Sequence, residues 1–264
     1  MLPVQTRPHG GLRTGAAILR RVALIAAVAA ATLLSGASAR ADAVPTECAV
    51  PSAVSAMPGD LPRTARLIAV RKAVKILAIG SSSTAGVGAS GPANAHPSRL
   101  EVAMKRRVPG LDVTVRNDGI GGEVAATTLK RLKRDVVDWK PDLVIWQVGT
   151  NDALQNRDPE AFAETVRSGV AWVVERGVDI VLIDPQFLPN VPHEAIYEGY
   201  VSLIDKVSRE TGAPLMRRYA IMRHWATDPK GARMLSQDGL HTNDVGQQCL
   251  AETLAAALEA KVER

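Results

Sequence analysis

The sequence predicts an α/β protein: a three-layer α/β/α sandwich around a mostly parallel five-stranded sheet. Two observations carry that expectation. Short apolar runs recur from residue 75 to residue 220, and segments with helical spacing fall between them. The runs are continuously apolar instead of alternating, as in strands covered on both faces. Right-handed crossovers then lay each intervening helix on the sheet, giving three layers. No internal repeat and no second domain is evident.

The strands are read in order at "KILAIG" (75–80), "DVTVRN" (112–117), "DLVIWQV" (142–148) and "DIVLID" (179–184), with a weaker fifth at "APLMRRYA" (213–220). Helices are expected over 98–107, 123–138, 159–176 and 195–211. In the third of these Phe162, Val166, Val170 and Val173 share one face while Glu160, Glu164, Arg167 and Glu175 lie away from it, a core-packing pattern. A last helix is expected over 244–262, where Asp244 is placed to cap it.

Residues before the first strand divide in two. Arg7, Arg13, Arg20 and Arg21 precede the apolar run "VALIAAVAAATLL" (22–34), and "SGASARA" ends in the small-x-small pattern Ala39-Arg40-Ala41. A basic leader, an apolar run too short to span comfortably and a small-residue cleavage site describe a secretory signal peptide over 1–41. An uncleaved membrane anchor is the alternative. Residues 42–70, rich in Ala, Pro and Ser, read as an irregular lead-in.

Cleavage after Ala41 changes the charge balance. The leader holds five of the 32 basic residues and no acidic one, so the mature chain has 27 of each sign. The basic pI near 9.4 therefore belongs to the leader, and nucleic-acid or anionic-surface binding is not expected. The two cysteines, Cys48 and Cys249, both lie in the exported part. An oxidising compartment allows a disulfide between them, tying the lead-in to the last helix; two independent thiols are the alternative.

In a parallel sheet ligands meet the carboxyl ends of the strands. The first strand is followed by Gly80-Ser81-Ser82-Ser83-Thr84, the second by "NDGIGGE" (117–123), the third by "GTND" (149–152). Near the C-terminus "DGLHTND" (238–244) puts Asp238 and His241 three positions apart. A hydroxyl nucleophile, an imidazole base, an orienting carboxylate and amide donors for an oxyanion are the parts acyl transfer needs. His241 can serve as the base and Asp238 can hold its Nδ1–H. Glycine amides and an Asn side chain can supply the donors. The serine turn also opens toward a helix start, whose amides and dipole favour an anion.

These four blocks, in this order over about 75–255, resemble the SGNH/GDSL-type esterase and lipase superfamily. "AIGSSSTAG" resembles its first block, "NDGIGGE" the block with the oxyanion glycine, "GTND" the third and "DGLH" the final Asp-x-x-His block. The resemblance implies a flavodoxin-like SGNH hydrolase domain over 71–264. It also implies Ser82 as nucleophile, with Asp238 and His241 completing the triad. The Ser82 and Gly122 amides and the Asn151 side chain would form the oxyanion hole, with no metal or organic cofactor. Ser81 stands where the family commonly has Asp, and Gly121 where a serine often precedes the oxyanion glycine.

Competing motifs are weaker. "GVGASG" (86–91) fits a dinucleotide fingerprint, but Pro92 and Pro97 interrupt the helix that should follow. No lysine completes a P-loop, and Thr84 breaks the Gly-x-Ser-x-Gly elbow. Asp152 is expected to support the Asn turn. His96 and His193 are placed near the rim, and His96, His193 and His224 lack metal-ligand spacing. The expectation is an exported serine esterase, periplasmic or secreted. It would act on a small-molecule, glycan or lipid ester, with no nucleic-acid partner and no stable membrane anchor after cleavage. An envelope-polysaccharide O-acyltransferase and a non-catalytic binding protein on the same fold are the alternatives.

Overall fold

The computed structural model describes residues 44–227 and 234–262; the expected signal peptide lies outside the described residues. Five segments pair side by side as β1 (Val74–Gly80), β2 (Val113–Gly119), β3 (Leu143–Gln147), β4 (Asp179–Ile183) and β5 (Leu215–Met216); the edge strand β2, VTVRNDG, buries only Val113 and is not the continuously apolar run expected. All pairs are parallel and the order is β2-β1-β3-β4-β5. Successive residues point to opposite faces, so a continuously apolar strand feeds two cores. Ile76, Leu143, Ile145, Val181 and Ile183 enter one core; Leu77, Ile79, Val144, Trp146, Ile180 and Leu182 enter the other. The chain thus forms the three-layer α/β/α sandwich.

Two helices of the sequence reading, α3 (His96–Arg107) and α9 (Asp244–Glu259), cover the first core; α4 (Ala125–Trp139), α6 (Pro159–Val174) and α7 (Glu194–Thr211) cover the second. Helix α6 is started by Asp158, whose carboxylate accepts from the Ala161 N–H at 2.7 Å. Helix α9 is capped by Asn243 and not by Asp244. The Asn243 side chain accepts from the Val245 and Gly246 amides at 3.0 and 3.1 Å. Asp244 already lies inside the helix, and its carboxylate instead accepts from the backbone and hydroxyl of Ser90, both at 2.7 Å.

The fifth run pairs over only two residues. Beyond them the chain turns into helix α8 (Arg218–Ala226), because Arg218 is buried and the Tyr219 N–H donates to the Asp184 carboxylate at 2.9 Å. The lead-in is less irregular than its composition implies. It contains helix α1 (Pro62–Ala69), whose Ile68 is buried and whose Thr64 N–H donates to Asp179 at 2.7 Å. Eight residues are too few for a periodic apolar pattern to stand out. A disulfide joins Cys48 to Cys249, with Cα atoms 4.9 Å apart.

The chain order reverses beside β1: it moves out to β2, then returns to β3 on the other side. That switch point opens a crevice at the carboxyl ends of β1 and β3, where Ser82 and Asn151 follow.

Candidate active site

After β1 the backbone enters a single helical turn, α2 (Ser82–Ala85), with Ser81 extended before it. The helix start expected at the serine turn is this one turn of four residues, so its local amides and not a long macrodipole favour an anion here. The tight entry depends on Gly119, at the end of β2. A Cβ there would stand 2.0 Å from the Ala85 nitrogen, so only glycine lets β2 approach this closely.

Three glutamines hold the turn, and none was singled out by the sequence motifs. Gln147, ending β3, accepts through Oε1 from the Ser81 N–H at 3.0 Å and from the Ser81 hydroxyl at 2.9 Å. That contact explains how a serine serves at position 81. Gln186 accepts from the Ser83 hydroxyl at 2.6 Å. Gln247, in α9, accepts from the His96 N–H at 2.8 Å, contacts His96 Nδ1 at 2.9 Å and donates to the Ser83 carbonyl at 3.4 Å. Gln147 ends β3, Gln186 lies in the loop after β4 and Gln247 lies beside Gln248 in α9, so what marks each is its burial, which the motifs do not show.

His241 lies with Nε2 2.8 Å from Ser82 Oγ and Nδ1 2.6 Å from Asp238 Oδ2. The other Asp238 oxygen accepts from the Ser236 hydroxyl at 2.6 Å and from the Leu240 and His241 amides, both at 2.9 Å. Desolvation pushes the Asp238 carboxyl up. The bonds from Ser236, His241 and the two amides outweigh it and hold the group well below the usual carboxylate range. Asp238 stays ionised, so His241 Nδ1 has an acceptor at its back. The loop is closed by an isolated antiparallel bridge between Leu235 and Thr242.

Gly121, Gly122 and Glu123 form the loop opposite. Gly122 has φ +79°, a left-handed conformation that costs glycine little, and a Cβ at Gly121 would be 3.9 Å from Ser82 Cβ. Asn151 lies in the short helix α5 (Thr150–Leu154), and its Nδ2 donates to the Glu123 carbonyl at 2.8 Å, which draws the third block onto the second. Asp152 is buried and accepts from the Ala125 N–H at 3.0 and 3.1 Å, closing the start of α4. Burial pushes the Asp152 carboxyl up to about 6, opposed by that amide bond. Ser82, His241 and Asp238 are brought together, and the Asn151 side chain is tied to Glu123, the chain neighbour of Gly122.

His96 is not at the rim: it is 4% exposed behind the serine turn, and burial lowers its pKa to about 4. His193 and His224 are exposed. Tyr197 and Trp225 pack in the core. Beneath the strand ends Arg218 is buried. Its Nε donates to the Asp184 carbonyl at 2.9 Å and its Nη2 to the Thr150 hydroxyl at 3.3 Å. Burial lowers Arg218 to about 10 and raises Asp184 to about 7.

Residues 47–264 match the family described as non-GDSL lipase-like. The chain belongs to the non-GDSL lipase-like family. It sits within the SGNH/GDSL-type hydrolase superfamily and is an ester-hydrolysing enzyme. This non-GDSL lipase-like chain is 27% identical over 184 residues to an arylesterase of Vibrio mimicus, covering 70% of itself and 88% of that protein. It is 24% identical over 186 residues to the esterase TesA of Pseudomonas aeruginosa, covering 70% of itself and 87% of the relative. Among solved structures, a two-domain esterase active on acetylated mannans superposes with a TM-score of 0.66 at 23% identity. The non-GDSL lipase-like chain covers 80% of itself in that superposition and spans only 56% of the two-domain protein.

Proposed function

We propose that the chain is an exported serine esterase that cleaves a carboxylic ester through an acyl-enzyme on Ser82. The observation that carries this reading is the continuous line from Asp238 Oδ2 through His241 to Ser82 Oγ, at 2.6 and 2.8 Å. Ser82 Oγ attacks the carbonyl carbon while its proton passes to His241 Nε2. Negative charge collects on the carbonyl oxygen, where the Ser82 and Gly122 amides and the Asn151 side chain are donors. Collapse expels the alcohol, which takes the proton from His241. Water, deprotonated by His241, then attacks the acyl carbon, and departure of Ser82 Oγ, which takes that proton back from His241, releases the acid. Asp238 stabilises the imidazolium in both steps.

Export is supported by the sequence of residues 1–41 and by the Cys48–Cys249 disulfide, a bond that persists in oxidising compartments. A periplasmic or secreted location follows. The test is turnover of short acyl nitrophenyl esters by the mature chain. Ser82→Ala is expected to lower kcat about 10⁴-fold or more with the fold retained. Wild-type turnover by that folded variant overturns the assignment.

A further inference from the structure

We propose that Gln186 is a positioning residue, a buried clamp that keeps the Asp238–His241 loop in register with Ser82. This rests on reading Ser82 and His241 as nucleophile and base. Gln186 follows β4 and is 2% exposed. Its Oε1 accepts from the Ser83 hydroxyl at 2.6 Å, and its Nε2 donates to the Leu240 carbonyl at 2.8 Å. Ser83 and Leu240 are the chain neighbours of Ser82 and His241. One amide therefore grips both sides of the 2.8 Å contact between nucleophile and base.

The clamp is itself anchored. The Gln186 carbonyl accepts from the Tyr197 hydroxyl at 2.7 Å, and Tyr197 is 1% exposed. The loop it holds needs an external tie, because Gln237, Asp238 and Gly239 are exposed. Its internal bonds do not involve Gln186: Asp238 binds Ser236, Leu240 and His241, and the Ser236 N–H donates to the His241 carbonyl at 2.7 Å. Loss of the clamp thus leaves the Asp–His pair intact and shifts it as a unit against Ser82. A displacement of about 1 Å between reacting groups is enough to cost on the order of 100-fold in rate. The site requires one acceptor and one donor from a single planar group, which an amide provides and a leucine of similar size does not.

The experiment compares Gln186→Leu, Gln186→Glu, Ser83→Ala and the Ser83→Ala/Gln186→Leu pair in the full chain, with nitrophenyl acetate as substrate. Gln186→Leu is expected to lower kcat roughly 10- to 100-fold with KM within about twofold. The midpoint of the acid limb of kcat/KM stays in place, because Asp238 still faces His241. Ser83→Ala lowers kcat severalfold, and the paired variant is no slower than Gln186→Leu alone. Gln186→Glu reproduces the amide's donor and acceptor only when protonated, so its kcat relative to wild type falls as pH rises, and that of Gln186→Leu does not. Unchanged kcat, a loss confined to KM, a displaced acid limb or additive effects in the pair overturn the clamp. If Gln186→Leu does not fold, wild-type kcat in Ser83→Ala overturns it. Turnover retained by Ser82→Ala overturns the nucleophile instead, so the two failures are read separately.

Discussion

Asp238 and Asp152 are both carboxylates beside the candidate site, and their surroundings drive them in opposite directions. Asp238 is half exposed and bound by a hydroxyl, two amides and an imidazole, which keep it charged. Asp152 is buried and meets the Ala125 amide, so desolvation prevails and its carboxyl is pushed up to about 6. The native state then holds a proton that the unfolded chain releases near pH 4. Between about pH 4 and 6 unfolding releases protons, so stability falls as pH rises through that window, by up to about 3 kcal/mol for a shift of roughly two pH units. Asp152→Asn is expected to remove that part of the slope in urea-unfolding free energies measured from pH 4 to 7; an unchanged slope contradicts it. At this scale Ser82, Asp238 and His241 are legible from their motifs. His96 and the three glutamines are not, because a polar side chain acquires its meaning from burial.

The elements act by bringing chain ends to one rim. Gly119 shows how tightly this is set, since a Cβ there would stand 2.0 Å from the Ala85 nitrogen in the serine turn. Gly119→Ala therefore has to push β2 and α2 apart. The expected result is a destabilisation of about 1–3 kcal/mol, as for other overpacked sites. Activity should fall by more than the unfolded fraction explains, checked by kcat on the folded protein alongside thermal unfolding. The strands β1, β3 and β4 are legible because both faces are buried, which leaves polar residues (Lys75, Gln147 and Asp179) only at or next to the ends of the runs. Helix α1 and the brief β5 are not. One is too short for periodicity, and the other ends where Arg218 turns inward to the Asp184 carbonyl.

Across the whole molecule the disulfide links residues 201 apart in sequence, joining the segment before β1 to α9. Closing so long a loop constrains the unfolded chain by up to about 5 kcal/mol. Reduction, or Cys48→Ala with Cys249→Ala, is expected to lower the urea midpoint; an unchanged midpoint with and without reductant contradicts the link. The strand order β2-β1-β3-β4-β5 brings to one crevice blocks that are far apart in the chain, with Ser82 and His241 159 residues apart. Consecutive residues already specify the alternation of strands and helices, the two-sided burial of β1, β3 and β4, though not the part-exposed edge strand β2, and the four polar blocks. Hydrophobic period and strand-end chemistry are local properties, written in consecutive residues. Long-range contacts alone set which polar groups are buried and what they face: the Ser83–Gln186–Leu240 clamp, the place of His96 and the capping of α9 by Asn243. Those depend on long-range packing, which sets desolvation and partner geometry and leaves no mark on neighbouring residues.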